Sequence, residues 1–328
     1  MRTSLRAALA VAAIPVIPVL GLACCGIASA QDFPNRPIRF VVPYASGGLT
    51  DVTTRALAKK MSDNLGVPTV VDNRPGGGAI PGTEHGAKSP PDGYTITNSD
   101  PGPLAINPAL YSKLPYDPLK DFAPVSTASS TPLFLAVNAN LPAKSIRELI
   151  DHAKANPGLN FGSIGNGSVH HLALEMFKQL AGVNLVHIPY KGVAQAVPAL
   201  VTGDVAMVIS GYSTLKPHVD GGRVRVLAAV NQRSTVLPEV PTIAEAGLAG
   251  FDIKPKSGFL VPAATPRPIV DKLNAAMRAA LSAPDLVQQL AALSIVAESS
   301  TPEQYAEIIR KDYELYGRLI RTAGLKID

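Results

Sequence analysis

The residues whose types and spacing are best suited to binding or catalysis lie in the run 161–171. Its sequence is Phe-Gly-Ser-Ile-Gly-Asn-Gly-Ser-Val-His-His. Three glycines and two serines crowd the point at which the apolar-periodic segment 172–180 predicts a helix. Unpaired backbone N–H groups, hydroxyls and the positive end of the helix dipole should converge there. The pattern therefore predicts an anion site. The alternative is a plain loop in which Ser168 only caps the helix.

A second glycine-rich turn follows the short β-branched run 38–42. Residues 44–51 read Tyr-Ala-Ser-Gly-Gly-Leu-Thr-Asp, and the segment 52–61 then has helical spacing, with Thr50 or Asp51 placed to cap it. A strand, a glycine-rich turn and a helix form an anion cradle of the same kind. Nucleotide binding is not expected, because neither GxGxxG nor GxxxxGK[ST] occurs. The alternative is a tight βα turn with a capped helix.

The polar residues of the first run do not predict catalysis or metal binding. Ser168 and His171 are three residues apart, but the pair lacks the flanks of a nucleophile elbow and an acid that would orient the imidazole. His170 and His171 point about 100° apart on a helix, so they cannot both bind one metal ion unaided. We therefore predict no catalytic residue, no metal site and no cofactor. His171 is expected to satisfy a neighbouring loop carbonyl.

Apolar runs of strand length alternate with helical patterns along the chain at βαβ spacing. This alternation predicts an α/β protein with a parallel sheet whose loops collect at one edge. The predicted strands are 38–42, 68–72, 94–98, 123–127, 133–137, 160–163, 183–188, 205–209, 223–230 and 256–261. The predicted helices are 52–61, 82–88, 145–156, 171–179, 193–202, 242–247, 269–283, 286–293 and 302–323.

Two local patterns refine these helices. Ser145, with Glu148 three residues later, predicts a capping box at the start of one of them. In the last helix Tyr305, Tyr313 and Tyr316 recur on a broad apolar face, which is typical of core packing and not of a binding site.

The N-terminus predicts export. Two arginines precede the apolar run 7–22, and a small-x-small motif ends at Ala30, after which a signal peptidase would cut. A membrane anchor is the alternative, but Pro15 and Pro18 interrupt an apolar stretch that is short for a span. Both cysteines lie in residues 1–30, so the mature chain is expected to contain no disulfide and no thiolate metal site.

The net charge and the length of the mature chain limit the kinds of partner that it can have. The first 30 residues carry two arginines and no acidic residue, so the mature chain has 28 basic and 25 acidic residues and a net charge of +3. This mild excess without basic blocks argues against nucleic acid and is compatible with an acidic small ligand. The remaining 298 residues are enough for two α/β domains.

Seven short runs stand in one order along the mature chain, at 42–51, 72–76, 90–94, 114–124, 163–171, 187–192 and 238–247. Together they resemble the corresponding runs of Bug receptors, the periplasmic solute receptors of tripartite tricarboxylate transporters. The resemblance covers nearly the whole mature chain.

The resemblance implies a two-domain Venus flytrap, an α/β fold of the type II periplasmic binding protein class. Lobe 1 would hold residues 31–131 and 254–328, and lobe 2 would hold residues 132–253. It also implies a carboxylate deep in the cleft, bound by loop amides, hydroxyls and ordered water. Carried over by position, the contacts are Tyr44, Ser46, Gly47, Gly48 and Leu49 in lobe 1 and Ser163, Gly165, Gly167 and Ser168 in lobe 2.

Several positions depart from the family pattern. Gln195 replaces a proline, and Ala199 and Ala206 stand where acidic residues are common. Ligands whose amine or hydroxyl is received by such an aspartate are therefore less expected. Lys256 occupies a position that often holds a tryptophan. We expect a solvated hinge residue there; the alternative is that it faces the cleft and meets a second carboxylate.

The sequence as a whole predicts a periplasmic, monomeric, non-enzymatic receptor. It would close on a small carboxylate and present the ligand to a membrane transporter or a sensor. The alternative from a different class is an exported α/β hydrolase or lyase that acts on a small organic acid.

Overall fold

The computed structural model describes residues 33–230, 232–234 and 236–326. All the helices and strands named below belong to one compact unit, Pro34–Asp328. The signal peptide predicted for residues 1–30 lies outside the described residues.

The described residues contain two mixed β-sheets. The first has the strand order β11-β4-β10-β3-β1-β2 and the second has the order β7-β6-β8-β5-β9. The strands are β1 (Ile38–Val42), β2 (Thr69–Asn73), β3 (Thr95–Ser99), β4 (Phe122–Ser130), β5 (Leu133–Asn138), β6 (Leu159–Ser163), β7 (Leu185–Pro189), β8 (Met207–Gly211), β9 (Val224–Ala229), β10 (Lys256–Pro262) and β11 (Val296–Ala297).

The prediction of a parallel sheet is only half right. Strand β1 pairs in parallel with β2 and β3, and β6 pairs in parallel with β7 and β8. The remaining pairs, β10 with β3 and β4, β11 with β4, and β5 with β8 and β9, are antiparallel. The difference arises where the chain crosses between sheets: β4 and β10 belong to the first sheet, but the chain between them builds the second.

The helices that the structure describes are α1 (Leu49–Leu65), α2 (Ile80–Ala87), α3 (Asn107–Leu110), α4 (Ile146–Ala155), α5 (Val169–Ala181), α6 (Val193–Thr202), α7 (Tyr212–Asp220), α8 (Arg267–Leu281), α9 (Pro284–Ala291) and α10 (Pro302–Thr322). Helices α1, α2, α5 and α6 connect the strands of the parallel parts of the sheets, and α1 and α5 begin beside the two glycine-rich loops. A 3₁₀ turn, Gly77–Ala79, precedes α2, and a π-helical turn, Gly102–Ile106, precedes α3.

Two helix predictions need correction. Helix α1 begins at Leu49 with Gly48 as its N-cap, so Thr50 and Asp51 lie inside its first turn and do not cap it. The helix predicted at 242–247 is a series of turns. Thr242 and Glu245 make reciprocal capping contacts, but the chain turns away at Gly247 before a helix of useful length can form.

The predicted role of the tyrosine stripe is confirmed, because Tyr305 and Tyr316 are 1% and 0% exposed. Helix α10 packs with both sheets. Its first half contributes Tyr305 to a cluster with Leu260 of the first sheet. Its second half places Tyr316 against the core of the second sheet, which also contains Phe161 and Leu172. One helix therefore ties both halves of the molecule together.

Candidate functional site

One cavity of about 780 Å³ lies where the two glycine-rich loops approach each other. Of the nine residues predicted as ligand contacts, five line it: Tyr44, Leu49, Gly165, Gly167 and Ser168. The other four, Ser46, Gly47, Gly48 and Ser163, are not among the residues that line it. The structure thus brings the two predicted cradles to one cavity, but Ser46, Gly47 and Gly48 are exposed outside its lining and Ser163 is buried behind it.

The loop between β6 and α5 is held by hydrogen bonds within itself. The Ser168 hydroxyl accepts from the His171 amide at 3.2 Å, as predicted for a cap, and donates to the Gly165 carbonyl at 2.8 Å. The Gly165 amide donates to Ser163 Oγ at 3.1 Å, and the Gly167 amide donates to His171 Nδ1 at 3.1 Å. The amides of both predicted glycines are therefore already used.

Two other amides of this loop remain available. Val169 and His170 are the first two residues of α5, and both line the cavity. Neither amide donates to another group in the part of the chain that the structure describes. The first amides of a helix have no partner within the helix and carry its positive partial charge. The amides free to bind an anion thus lie two and three residues beyond Gly167, the second of the predicted glycines.

Gly167 is suited to its place for two reasons. Its φ of +71° lies in the left-handed region, which residues with a Cβ adopt only with strain. A Cβ there would also clash with Leu110 of α3. The glycine therefore permits both the turn into α5 and the close approach of α3.

The loop between β1 and α1 has the same plan. The Gly47 amide donates to Asp51 Oδ2 at 2.9 Å, so it is engaged like the amides of the other loop. Leu49 and Thr50, the first two residues of α1, line the cavity, and their amides have no partner among the described residues. Helices α6 and α7 also start there, because Val193 and Ser213 line the cavity. Four helix N-termini therefore meet at one cavity.

Asp51 holds the first loop in shape. It is buried and receives hydrogen bonds from Arg55 Nε and Asn73 Nδ2, both at 2.9 Å, as well as from Gly47. Burial opposes its ionisation, but these hydrogen bonds and the Arg55 charge outweigh burial and lower the pKa of its carboxyl group. Asp51 is therefore an internal anchor of the loop.

Two stacked histidines support the second loop from behind. The rings of His171 and His187 are 3.6 Å apart, and Phe161 stacks on His187 at 4.9 Å. His187 Nε2 is 2.6 Å from the buried Ser163 hydroxyl. Burial, with a smaller effect from His171, lowers the pKa of His187 to about 4, so this imidazole is neutral at pH 7. The Ser163 hydroxyl is buried and contacts His187 and the Gly165 amide, so it stabilises the loop.

His171 was expected to donate a hydrogen bond to a loop carbonyl, but it accepts one from a loop amide. Its Nδ1 accepts from the Gly167 amide and cannot satisfy a loop carbonyl. The ring proton then belongs on Nε2, which faces Glu175 at 3.8 Å.

A carboxylate that the sequence reasoning missed stands on the other side of the cavity. Asp100 follows β3 and lines the cavity beside Tyr44. The Tyr44 hydroxyl donates to Asp100 Oδ2 at 2.7 Å, and the Gly102 amide donates to Oδ1 at 2.8 Å. Burial, followed by the Asp100 charge, raises the pKa of Tyr44 well above its usual value, so Tyr44 remains a neutral donor.

Both omissions had a signal in the sequence. Asp100 stands just after β3 at the carboxyl end of a parallel strand, where α/β proteins bind ligands. Val169 and His170 follow a recognised N-cap, so their amides had to be unpaired within the helix.

The cavity holds little free positive charge. Lys256 lines it but forms an ion pair with Glu298, and its side chain is 25% exposed. Lys256 is therefore not the solvated hinge residue that we expected. It faces the cavity, as the alternative predicted, but Glu298 already neutralises its charge. Burial lowers the pKa of His170 to about 4, so that ring is neutral at pH 7. Among the described residues that line the cavity none is an arginine, so an anion would be held by amides and hydroxyls.

The described residues contain no group of three or more His, Cys, Asp or Glu side chains placed to hold a metal ion. In the same part of the chain no helix is long and apolar enough to span a membrane.

Two mixed sheets covered by helices, with a cavity beside their loops, define a two-domain α/β solute-binding protein, which confirms the predicted fold class. Residues 53–325 match the family described as "Tripartite tricarboxylate transporter family receptor". The chain belongs to this family, and the resemblance to Bug receptors is confirmed.

Individual relatives agree with this assignment. The protein BugT of Bordetella pertussis is 37% identical over 320 residues, covering 95% of this chain and 98% of BugT. An R. palustris protein solved with adipate is 33% identical with a TM-score of 0.75, covering 90% of this chain and 100% of its own. MatC from Rhodopseudomonas palustris with bound malate is 31% identical with a TM-score of 0.71, covering 88% of this chain and 100% of MatC.

The relatives also decide the broad class of activity. Solved relatives are described as periplasmic binding or transport proteins and solute-binding proteins, and not as enzymes. The chain is therefore a solute-binding receptor, and the alternative of an exported hydrolase or lyase is set aside.

Proposed function

We propose that this protein binds a small carboxylate in the cavity between the loops 44–51 and 163–170. The observation that carries the proposal is the meeting of four helix N-termini at one cavity, with the first two amides of α1 and α5 unpartnered among the described residues. Such amides and dipoles favour an anion without the help of an arginine. The bound adipate and malate of two relatives support a carboxylate as that anion.

The nine predicted contacts then divide into two roles. Tyr44, Leu49, Gly165, Gly167 and Ser168 line the cavity and shape the ligand's immediate surroundings. Ser46, Gly47, Gly48 and Ser163 lie outside the lining, and Gly47, Gly48 and Ser163 stabilise the loops by their hydrogen bonds. Water would complete the contacts to the carboxylate, because several loop amides are already bound internally.

We also propose the two lobes as 31–131 with 254–328, and 132–253. The membership of the sheets supports these boundaries, because β1–β4, β10 and β11 form one sheet and β5–β9 form the other. Closure of the lobes on the ligand would bring α1 and α5 nearer to each other. The receptor would then present its ligand to a membrane transporter or a sensor, acting as a monomer in the periplasm after loss of residues 1–30.

A thermal-shift panel tests the proposal. The purified mature chain is unfolded and refolded to remove carried-over ligand and then mixed with mono-, di- and tricarboxylates, each beside its neutral amide. A carboxylate that binds should raise the melting temperature, because ligand at ~100 Kd adds about 2.7 kcal/mol of stability. The neutral amide should not.

The same samples are followed by proton NMR for loss of the added acid. Stabilisation with full recovery of the acid supports a receptor. If no carboxylate raises the melting temperature, or if the neutral amides raise it equally, the assignment of a carboxylate fails. If the acid is consumed, the protein is not a simple receptor.

A further inference from the structure

Asp100 differs from the other acidic groups around the site because it reaches the cavity. It is the one carboxylate among the described residues that line it, while Asp51 and Glu298 lie outside the lining. A Cβ at Gly102 would lie 2.9 Å from Asp100 Oδ1 and 3.6 Å from the Tyr44 hydroxyl, so these three residues form one patch of wall. The wall opposite the α5 loop therefore carries a negative group.

Asp100 is only partly satisfied. Tyr44 and Gly102 each donate one hydrogen bond, whereas a carboxylate offers about four acceptor positions. No ion pair to Asp100 exists among the described residues, and Lys256 is committed to Glu298. Burial, opposed by the bonds from Tyr44 and Gly102, raises the pKa of its carboxyl group. A donor arriving from the ligand would relieve this cost of burial.

The charge pattern of the cavity is therefore polarised. The first amides of α1 and α5 favour an anion at the helix ends, whereas Asp100, beside Tyr44, disfavours an anion next to its own carboxylate. A ligand with bare carboxylates at both ends would place one of them near Asp100. A ligand with a carboxylate at one end and an N–H or O–H donor at the other matches both walls.

We propose that Asp100 is a specificity-determining residue that accepts a hydrogen bond from an ammonium or hydroxyl group of the ligand. The preferred ligands are then amino- or hydroxycarboxylates, not the plain acids of equal length. This inference rests on the proposed binding of a carboxylate in the same cavity. It reverses the expectation drawn from Ala199 and Ala206, because the acidic acceptor lies on the opposite wall.

The test compares acids that differ only in the donor. Butyrate, 4-hydroxybutyrate and 4-aminobutyrate, and the matching five- and six-carbon acids with the donor at the far end, are titrated calorimetrically into the refolded protein at pH 7. The wild type should bind the hydroxy or amino acid at least about tenfold more tightly than the plain acid, as expected for a hydrogen bond to a charged group. The hydroxy and amino arms identify which donor is preferred.

Two variants assign the preference to Asp100. In Asp100→Asn the preference for an ammonium should fall at least about tenfold, while the affinity for the plain acid stays within about threefold. Asp100→Ala should also remove the preference for a hydroxyl, which an asparagine oxygen could still accept. Asp220→Asn, the same charge change on an exposed helix end, is the matched control and should keep the wild-type preference.

The outcomes separate this inference from the proposed function. If no carboxylate binds the wild type, the proposed function fails. If plain and substituted acids bind the wild type equally, the inference about Asp100 fails while the function stands, and this result does not depend on the folding of any variant. Retention of the wild-type preference for an ammonium by folded Asp100→Asn, or for a hydroxyl by folded Asp100→Ala, would also overturn it, because the donor of the ligand would then be bound by another group.

Discussion

The hydroxyl of Ser168 makes two contacts that shape the second loop. It accepts from the amide of His171 at the start of α5 and donates to the Gly165 carbonyl. Its predicted role as a cap is thus confirmed, while its contact with a ligand stays a prediction. Because its donor proton is engaged within the loop, the residue should act on binding mainly through the position of the first amides of α5.

Ser168→Ala should lower the free energy of unfolding by about 1 kcal/mol through loss of the cap. It should also weaken carboxylate binding, because the loop loses its tie to Gly165. The matched control is Ser145→Ala, since Ser145 caps α4 by accepting from the Glu148 amide at 3.1 Å and does not line the cavity. Urea unfolding and calorimetric titration give the two readouts. Equal binding by both variants would show that Ser168 is only a cap.

The raised pKa of the Asp312 carboxyl group should make the stability of the protein depend on pH. Burial, with a smaller contribution from Asp252, raises the pKa of Asp312 to about 7, and Lys256 opposes the shift. The folded state then keeps a proton that the unfolded chain has lost above its ordinary value of 3.8. Stability therefore falls as the pH rises between these two values, by up to ~1.4 kcal/mol per pH unit.

Asp312→Asn should consequently be more stable than the wild type at pH 8 and show little gain near pH 4. Urea unfolding midpoints across this range provide the measurement. The exposed Asp63→Asn serves as the control and should leave the slope unchanged. A constant difference between wild type and Asp312→Asn at all pH values would contradict the assignment.

At the scale of elements, close packing of helices on the sheets positions the helix ends. Helix α2 approaches β3 so closely that a Cβ at Gly86 would clash with the Thr97 hydroxyl and lie 2.9 Å from Thr97 Cβ. Neighbouring β10 places Gly258 against the Tyr305 ring in the same way. These contacts fix the distance between the first sheet and the helices that cover it.

Gly86→Ala should destabilise the protein by about 1–3 kcal/mol, because the added methyl group overpacks the contact between α2 and β3. Gly77→Ala is the control, since a Cβ there meets nothing within 4 Å and should change stability by less than about 0.5 kcal/mol. Chemical unfolding of both variants measures the two changes in the free energy of unfolding. Adding Thr97→Ala should recover part of the loss, and a purely additive double variant would argue against the clash.

At the scale of the whole molecule, export determines where the receptor meets its ligand. If residues 1–30 are removed as predicted, protein from the periplasmic fraction should begin at Gln31 and lack both cysteines. Intact-mass measurement of that fraction checks the cleavage, and the cytoplasmic precursor in the same cells is the control. Full-length protein in the periplasmic fraction would contradict it.

Much of the fold was predictable because it rests on local patterns. Helix α6 has the predicted bounds 193–202, and most strands agree within two residues, because β-branched runs and helical spacing are properties of adjacent residues. The antiparallel strands β4 and β10 were not predicted as such, because the direction of a pairing depends on where the chain returns after building the second sheet.

The sequence by itself determined the class of protein and the two loops of the site, since glycines, hydroxyls and caps act within a few residues of one another. Tertiary structure decided which groups are available in the cavity. The amides of Gly47 and Gly167 are taken by Asp51 and His171, so the donors move to the first residues of α1 and α5. Asp100 becomes part of the site only because β3 ends beside Tyr44, and contacts between residues far apart in sequence arise only in the folded chain.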